Sequence, residues 1–360
     1  MNVVLFGNAT EINAAIRYRV VKFATMLAAE GHTCTLCLPS SLRQWERLYQ
    51  GRSRGTKLLY VLMVLLRRIV QLRHVVGADA VCFRGPVFSY GPTVFEHVIR
   101  ALNPRLVFDI DDAVWERPAY VTSPFVRFQD FRWVWKMCRL CAHAIVGNAY
   151  LKEHIEKRNP NVTIIPTCVD MDVHTPKTYT PCEEERPVIL GWTGLSSNLG
   201  YMEVIEQPLR ALAREHRIVV HVASNGAYHL DGVDVLNRGW ELAHEVDYLQ
   251  TPDIGLMPLT RSRRALGKCS FKALEFMAVG TPCVISPVGM NAEIVQDGVT
   301  GFLADSPQEW HEKLTRLVVD PALRERMGRA ARRFVIENYA HEVHYPRFRA
   351  VLETVAATKR

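Results

Sequence analysis

Apolar residues along this chain fall into short runs closed by glycine or a polar turn, and between the runs they recur at helical spacing. Val3-Val-Leu-Phe-Gly7 has the pattern of a buried strand, and Ile16, Val20, Phe23 and Leu27 then repeat as one helical face until Gly31. A second strand is predicted over His32 to Leu38, with further strand-like runs at Ala80–Phe83, Leu106–Ile110, Ala144–Val146 and Val162–Ile165. This alternation is that of a mostly parallel sheet. A polar, proline-bearing stretch from His174 to Pro187 breaks the rhythm and reads as a linker. Val188-Ile-Leu-Gly191 restarts it, with strands expected at Ile218–Val222, Val233–Leu236, Ile254–Met257, Cys283–Ile285 and Gly301–Leu303. A last helical pattern runs from Phe334 to Val351. The predicted class is α/β. A Rossmann-like domain spans 1–176, a linker 177–187 and a second Rossmann-like domain 188–335, and a terminal helix over 336–360 returns to the first domain. Open parallel sheets take ligands at the carboxyl ends of their strands, so two such domains facing each other predict a cleft.

Length and composition agree with this division. The chain has 360 residues, 48% hydrophobic and 22% charged, which suits about two globular domains and excludes a disordered or collagenous chain. Charge is uneven. Residues 1–180 hold 23 basic against 14 acidic side chains (+9), and the remainder 21 against 23 (−2), so an anionic partner is expected for the first half. Nine scattered cysteines argue against a disulfide framework and for a reducing compartment, read as cytoplasmic. No signal-peptide pattern opens the sequence. The longest apolar run, Leu58 to Leu66, ends at Arg67 and Arg68, too short to span a bilayer. Between residues 43 and 84 stand nine cations (Arg43, Arg47, Arg52, Arg54, Lys57, Arg67, Arg68, Arg73, Arg84) against Glu46 and Asp79. Residues 43–76 therefore predict a helix lying on an anionic membrane surface, although a helix packed on the sheet gives a similar pattern.

The chemistry concentrates in Gly267-Lys-Cys-Ser-Phe-Lys-Ala-Leu-Glu275 and the residues up to Glu293. Phe271, Leu274 and Ala278 share a helical face with Glu275 beside it, and Gly280 followed by Pro282 stops the helix. The helix start near Cys269 and Ser270, with Lys268 and Lys272, predicts an anion site suited to a diphosphate, and Glu275 an acceptor for sugar or ribose hydroxyls. In the first half, Arg17 and Arg19 oppose a helix dipole, Arg84 ends a strand, and Asp109, Asp111 and Asp112 crowd the end of the next strand. Such a cluster needs cations or raised pKa values. Of the two Cys-x-x-Cys pairs, Cys34/Cys37 cannot share an ion because strand positions three apart face opposite ways. No metal site is expected, and the histidines, including His341 and His344 on a surface helix, read as structural or solvated.

Four segments carry a resemblance: Ile165-Pro-Thr-Cys-Val-Asp170, Gly191-Trp-Thr-Gly194, Asp253-Ile-Gly-Leu-Met-Pro258 and Glu275-Phe-Met-Ala-Val-Gly-Thr-Pro. Together they resemble GT-B glycosyltransferases of family 4, retaining enzymes that use nucleotide sugars. The resemblance covers essentially the whole chain and implies the GT-B fold of two Rossmann-like domains. It implies that Glu275 meets the donor ribose and that main-chain groups around Ser270 and Phe271 meet its phosphates or sugar. Gly191 and Gly194 with Lys268 and Lys272 complete the donor site, and Arg238-Gly-Trp240 lies beside the base. Arg17, Arg19, Arg84 and Asp109 would line the acceptor side. Asp111 and Asp112 stand about where many members place a histidine against the transferred sugar, and with Lys268 they form the implied catalytic set. Two positions depart from the pattern. The first glutamate of the family's pair falls at Gly267, and the usual basic pair falls near Thr193 and Asn198. A variant subgroup with Gly-Lys-Cys-x-Phe-Lys shows the same change, and Lys268 would restore part of the charge. The activity implied is transfer from a nucleotide-diphosphate sugar to a lipid-linked or polysaccharide acceptor, with retention and without metal or cofactor. An inactive nucleotide-sugar-binding or membrane-associated partner protein is the competing reading, separable by donor turnover. No motif of the sugar-nucleotide epimerases is present, Gly-x-Gly-x-x-Gly is missing after Gly7 and Gly191, and nothing predicts a nucleic-acid partner.

Overall fold

Valine- and isoleucine-rich runs without polar alternation suit strands covered on both faces, and here they build two parallel sheets. The computed structural model describes residues 1–50, 53–90, 92–116, 133–179 and 186–358. Arg52 and the middle of the expected linker, residues 180–185, lie outside them. The chain divides into two compact units, Met1–Cys168 with His341–Arg360 and Val169–Ala340.

In the first unit, β1 (Asn2–Gly7), β2 (Thr33–Cys37), β3 (Ala80–Arg84), β4 (Leu106–Ile110), β5 (His143–Val146) and β6 (Val162–Ile164) lie in the order β2-β1-β3-β4-β5-β6. Strand order reverses direction between β1 and β3, where parallel sheets open a crevice at their carboxyl ends. Register sets Arg84 opposite Asp109 there. The helical face of Ile16, Val20, Phe23 and Leu27 packs on one side of the sheet with Tyr345, Phe348 and Leu352 of helix His341–Ala356. That face is interrupted by a π-helical turn, Arg17–Val21.

Right-handed crossovers put helices Arg54–Gln71 and Val94–Leu102 together on the opposite side. Their orientation differs from an ordinary surface helix. Arg54–Gln71 buries Tyr60, Val64, Arg68 and Gln71 and leaves Leu58, Leu59, Leu62, Leu66, Ile69 and Val70 exposed, so all its leucines but half-buried Leu65 are turned out to the surface. Among the described residues no helix is long and apolar enough to cross a membrane.

In the second unit, β7 (Val188–Thr193), β8 (Ile218–Ser224), β9 (Val235–Gly239), β10 (Ile254–Met257), β11 (Cys283–Ile285) and β12 (Phe302–Leu303) lie in the order β12-β11-β10-β7-β8-β9. The reversal falls between β7 and β10. Gly191 and Gly255 are register partners there; a Cβ on Gly255 would collide with Phe276, so that glycine lets helix Phe271–Val279 lie close against the sheet, whereas a Cβ on Gly191 would run into Pro252. The helical pattern expected as one element from Phe334 to Val351 is two helices, Pro321–Tyr339 and His341–Ala356. Ala340 between them is extended (ψ 152°), a break that periodicity cannot register because neither glycine nor proline marks it.

Candidate functional site

In the second unit Lys268, Ser270, Lys272 and Glu275 gather around the start of helix Phe271–Val279, with Lys272 against the carboxyl end of β7. Helix Phe271–Val279 begins at Ser270, whose φ of 53° makes it the one non-glycine residue with positive φ among those described. Strain of that kind persists only where surroundings enforce it. Here Ser270 Oγ donates to Asn291 Oδ1 (2.6 Å) and Asn291 Nδ2 donates to the Ser286 carbonyl (2.9 Å). The helix directs the positive end of its dipole at this point, and Lys268 and Lys272 flank it.

Lys272 Nζ stands 4.4 Å from the centre of the Trp192 ring. It does so because residue 194 is glycine, since a Cβ there would overlap the ammonium group. Burial, then repulsion from Lys268, pulls the Lys272 pKa down to about 7 against a weaker opposing pull from Glu275. Lys268 Nζ lies 5.6 Å from the Tyr201 ring centre. Two amines, one of them poised to take up a proton, thus crowd one helix terminus, an arrangement that an anion would relieve.

One turn into the same helix, Glu275 is buried with its Oε1 3.8 Å from His174 Nε2. His174 Nδ1 donates to the Asp170 carbonyl (2.9 Å), and Arg332 donates to the His174 carbonyl (2.6 Å). Burial alone would lower the His174 pKa, but hydrogen bonding and charge from Glu275, with the Asp170 carbonyl and Glu245, raise it. Sequence reasoning missed His174, placing it at the mouth of a linker. The residues that follow also pack on this unit, through Lys177 N–H to the Val279 carbonyl (2.7 Å) and Tyr179 Oη to the Gly280 carbonyl (2.6 Å). Gly191 lies within β7 against Pro252. Arg238 is exposed near the end of β9, and half-buried Trp240 donates its backbone N–H to the Ser224 carbonyl (3.2 Å). Phe271 is half-buried in the first helical turn.

In the first unit, Arg19 is buried and grips Asp109 with two nitrogens, while its third reaches the Ile165 carbonyl (3.0 Å) and Thr167 Oγ1 (3.2 Å). Arg84 Nε is 3.8 Å from Asp109 and its Nη2 pairs with Asp111. Burial works against the Asp111 charge, but Arg84 and Arg19 outweigh it and hold the carboxyl below its usual range. Arg19, Asp109, Arg84 and Asp111 therefore alternate in sign along one cluster at the β3 and β4 ends. Arg17 turns instead to the carbonyls of Ile12 (2.7 Å) and Glu11 (3.3 Å), and Asp112 follows half-buried in the loop after β4.

Burial lifts the thiols of Cys37 to about 11 and Cys138 to about 12, which keeps them protonated and poor as ligands. No group of three or more His, Cys, Asp or Glu among the described residues is arranged to hold an ion. His341 and His344 are buried, not on a surface face as expected, because helix His341–Ala356 packs that side inward and His341 Nε2 meets the Tyr18 carbonyl (2.7 Å).

Residues 241–334, which contain Lys268, Ser270, Lys272 and Glu275, match the family model described as glycosyl transferases group 1. The D-inositol 3-phosphate glycosyltransferase of Corynebacterium diphtheriae is 27% identical over 229 residues, covering 54% of this chain and 53% of that protein. The chain thus spans about half the length of the curated relatives it matches. Among solved structures, sucrose-phosphate synthase from Thermosynechococcus elongatus covers 100% of both chains at a TM-score of 0.70 and 13% identity. Anabaena HepE in complex with UDP-glucose covers 98% of this chain and 100% of its own, at a TM-score of 0.69 and 11% identity. Likeness at such low identity establishes the fold, which is the GT-B class of two Rossmann-like domains.

Proposed function

We propose that this chain is a glycosyltransferase whose second unit binds a nucleotide-diphosphate sugar and whose first unit presents a lipid-linked or polysaccharide acceptor. The observation that carries the reading is the Lys272 ammonium held between Trp192 and Gly194 at the positive end of a helix whose next turn bears Glu275. Diphosphate oxygens would meet Lys272, Lys268 and the helix terminus, and Glu275, aligned by His174, would accept from the ribose hydroxyls. Arg238 and Trp240 would flank the base. The family match over residues 241–334 supports the donor assignment, and the UDP-glucose bound by HepE makes a uridine donor the first to test.

Transfer breaks the bond from the sugar's anomeric carbon to the β-phosphate oxygen and forms one to the acceptor oxygen. The two lysines stabilise charge as it develops on the departing diphosphate, which is where electrostatic catalysis acts most. A metal is not required for that task. The departing phosphate takes the acceptor proton on the same face, giving retention, and Asp111 and Asp112 orient the acceptor hydroxyl. A thermal-shift panel of UDP, GDP, ADP and their sugar conjugates tests the reading. At a hundredfold excess over Kd the right ligand adds ~2.7 kcal/mol to stability. The wild type is expected to respond to one nucleotide series, and Lys272→Met and Glu275→Ala to lose that response. No response to any of them would remove the reading.

A further inference from the structure

We propose that the outward face of helices Arg54–Gln71 and Val94–Leu102 docks the first unit on an anionic lipid bilayer. This deepens the acceptor reading above toward a lipid-linked substrate and so rests on it.

Two successive crossover helices each leave a row of apolar side chains exposed while burying a charged one. At about 100° per residue, Leu58, Leu62, Leu66 and Ile69 share one side of the first helix with Leu59 and Val70 at its margin. All six are exposed, Leu58 at 62% and Leu66 at 64%. In the second helix Val94, Val98 and Leu102 are exposed along one stripe while Glu96 is buried beside Ile99.

The arrangement is built, because the polar groups turned inward are matched to partners. Arg68, fully buried, donates to the carbonyls of Gly7, Cys37 (2.7 Å) and Val87 (2.6 Å) and to Gln71 Oε1 (2.8 Å). Glu96 Oε1 accepts from the N–H of the same Val87 (2.6 Å), so the two helices hold one residue from both sides. Asn103, just past the second helix, donates to the carbonyls of Val75 (3.0 Å) and Ala78 (2.9 Å) beyond the first. Both helices are therefore fastened to the Val87 backbone and tied together beyond their ends, each with a row of apolar side chains left exposed.

Charge decides the occupant. Arg54, Arg67 and Arg73 stand exposed around the first helix, and Arg43 and Arg47 on helix Leu42–Leu48, which leans on it through Arg67 and Gln44 (3.2 Å). A symmetric second copy would bring these cations against one another, which costs energy, whereas an anionic headgroup layer accepts leucines and cations together. The helix lies on the bilayer, since its own arginines prevent it from spanning.

The test is co-sedimentation of the full chain with vesicles of phosphatidylcholine alone or of equal parts phosphatidylcholine and phosphatidylglycerol. Wild type is expected to bind the mixed vesicles and to release as salt rises. Leu62→Glu with Leu66→Glu should weaken that binding on the order of a hundredfold or more. Arg54→Glu with Arg67→Glu should weaken it while leaving the apolar face intact. A Leu62→Trp reporter should shift its emission to the blue on mixed vesicles only. The nucleotide thermal shift is read on every variant. If it persists in the wild type but no vesicle binds, the docking proposal fails and the donor reading stands; if vesicles bind but no nucleotide does, the reverse holds. A concentration-dependent dimer abolished by Leu62→Glu with Leu66→Glu, without vesicle binding, overturns the proposal in favour of a second copy.

Discussion

Lys272 and His174 are both shifted from their ordinary titration ranges, in opposite directions, and each gives a pH signature. Lys272 has its pKa drawn from 10.5 to about 7, so above neutrality it is largely uncharged until a diphosphate restores its proton. The bound state then holds more protons than the free state between those values, and affinity must fall as pH rises through that window. Calorimetry near pH 8 in buffers of different ionisation enthalpy should show proton uptake in the wild type and none in Lys272→Met. His174 moves the other way, above its ordinary value of 6.5. Its pairing with Glu275 stabilises the fold fully below about pH 6.5 and is lost as pH rises through the folded pKa. Denaturant midpoints measured across that range should fall with pH in the wild type and stay flatter in His174→Phe. The helical spacing made Lys272 and Glu275 legible in the sequence, because both sit on one short periodic segment. His174 was hidden, since its partner is distant in the chain and its local context, with prolines and threonines, is that of a linker.

Among elements, helix Phe271–Val279 ends as its residues predict, with Gly280 in the left-handed region at φ 86°. Its packing partner could not be read in the same way. Gly328 lies inside helix Pro321–Tyr339, where a glycine registers only as a weak helix former, yet a Cβ there would run into the Gly280 carbonyl and Tyr179 Oη. Gly328→Ala is expected to destabilise the second unit by about 1–3 kcal/mol, visible as a lower Tm, because backbone cannot yield as a side chain can. Helix Arg54–Gln71 shows the opposite limit. Its apolar residues were plain in the sequence, but which way they faced depended on Arg68 finding carbonyls at the ends of β1 and β2, and no local pattern encodes that.

For the whole molecule, the repeating strand-helix rhythm made two α/β domains legible. The first unit is discontinuous, built from Met1–Cys168 and His341–Arg360, and the second is one unbroken segment. The closing helix carries real core: Phe348 stacks on Phe23 with ring centres 4.3 Å apart, and Tyr345 donates to Glu30 (2.6 Å). A chain ending at Ala340 should therefore lose the melting transition of the first unit, or show it at much lower temperature, while nucleotide still protects Val169–Ala340 from protease. On the ribosome this arrangement reverses the usual order. The segment made second can fold first, whereas the apolar face of Ile16, Phe23 and Leu27 must wait for everything up to Ala340 to be translated, on the order of ten seconds or more. During that interval the nascent first unit is a natural client for a chaperone, and slowing translation would lengthen its exposure rather than help it fold.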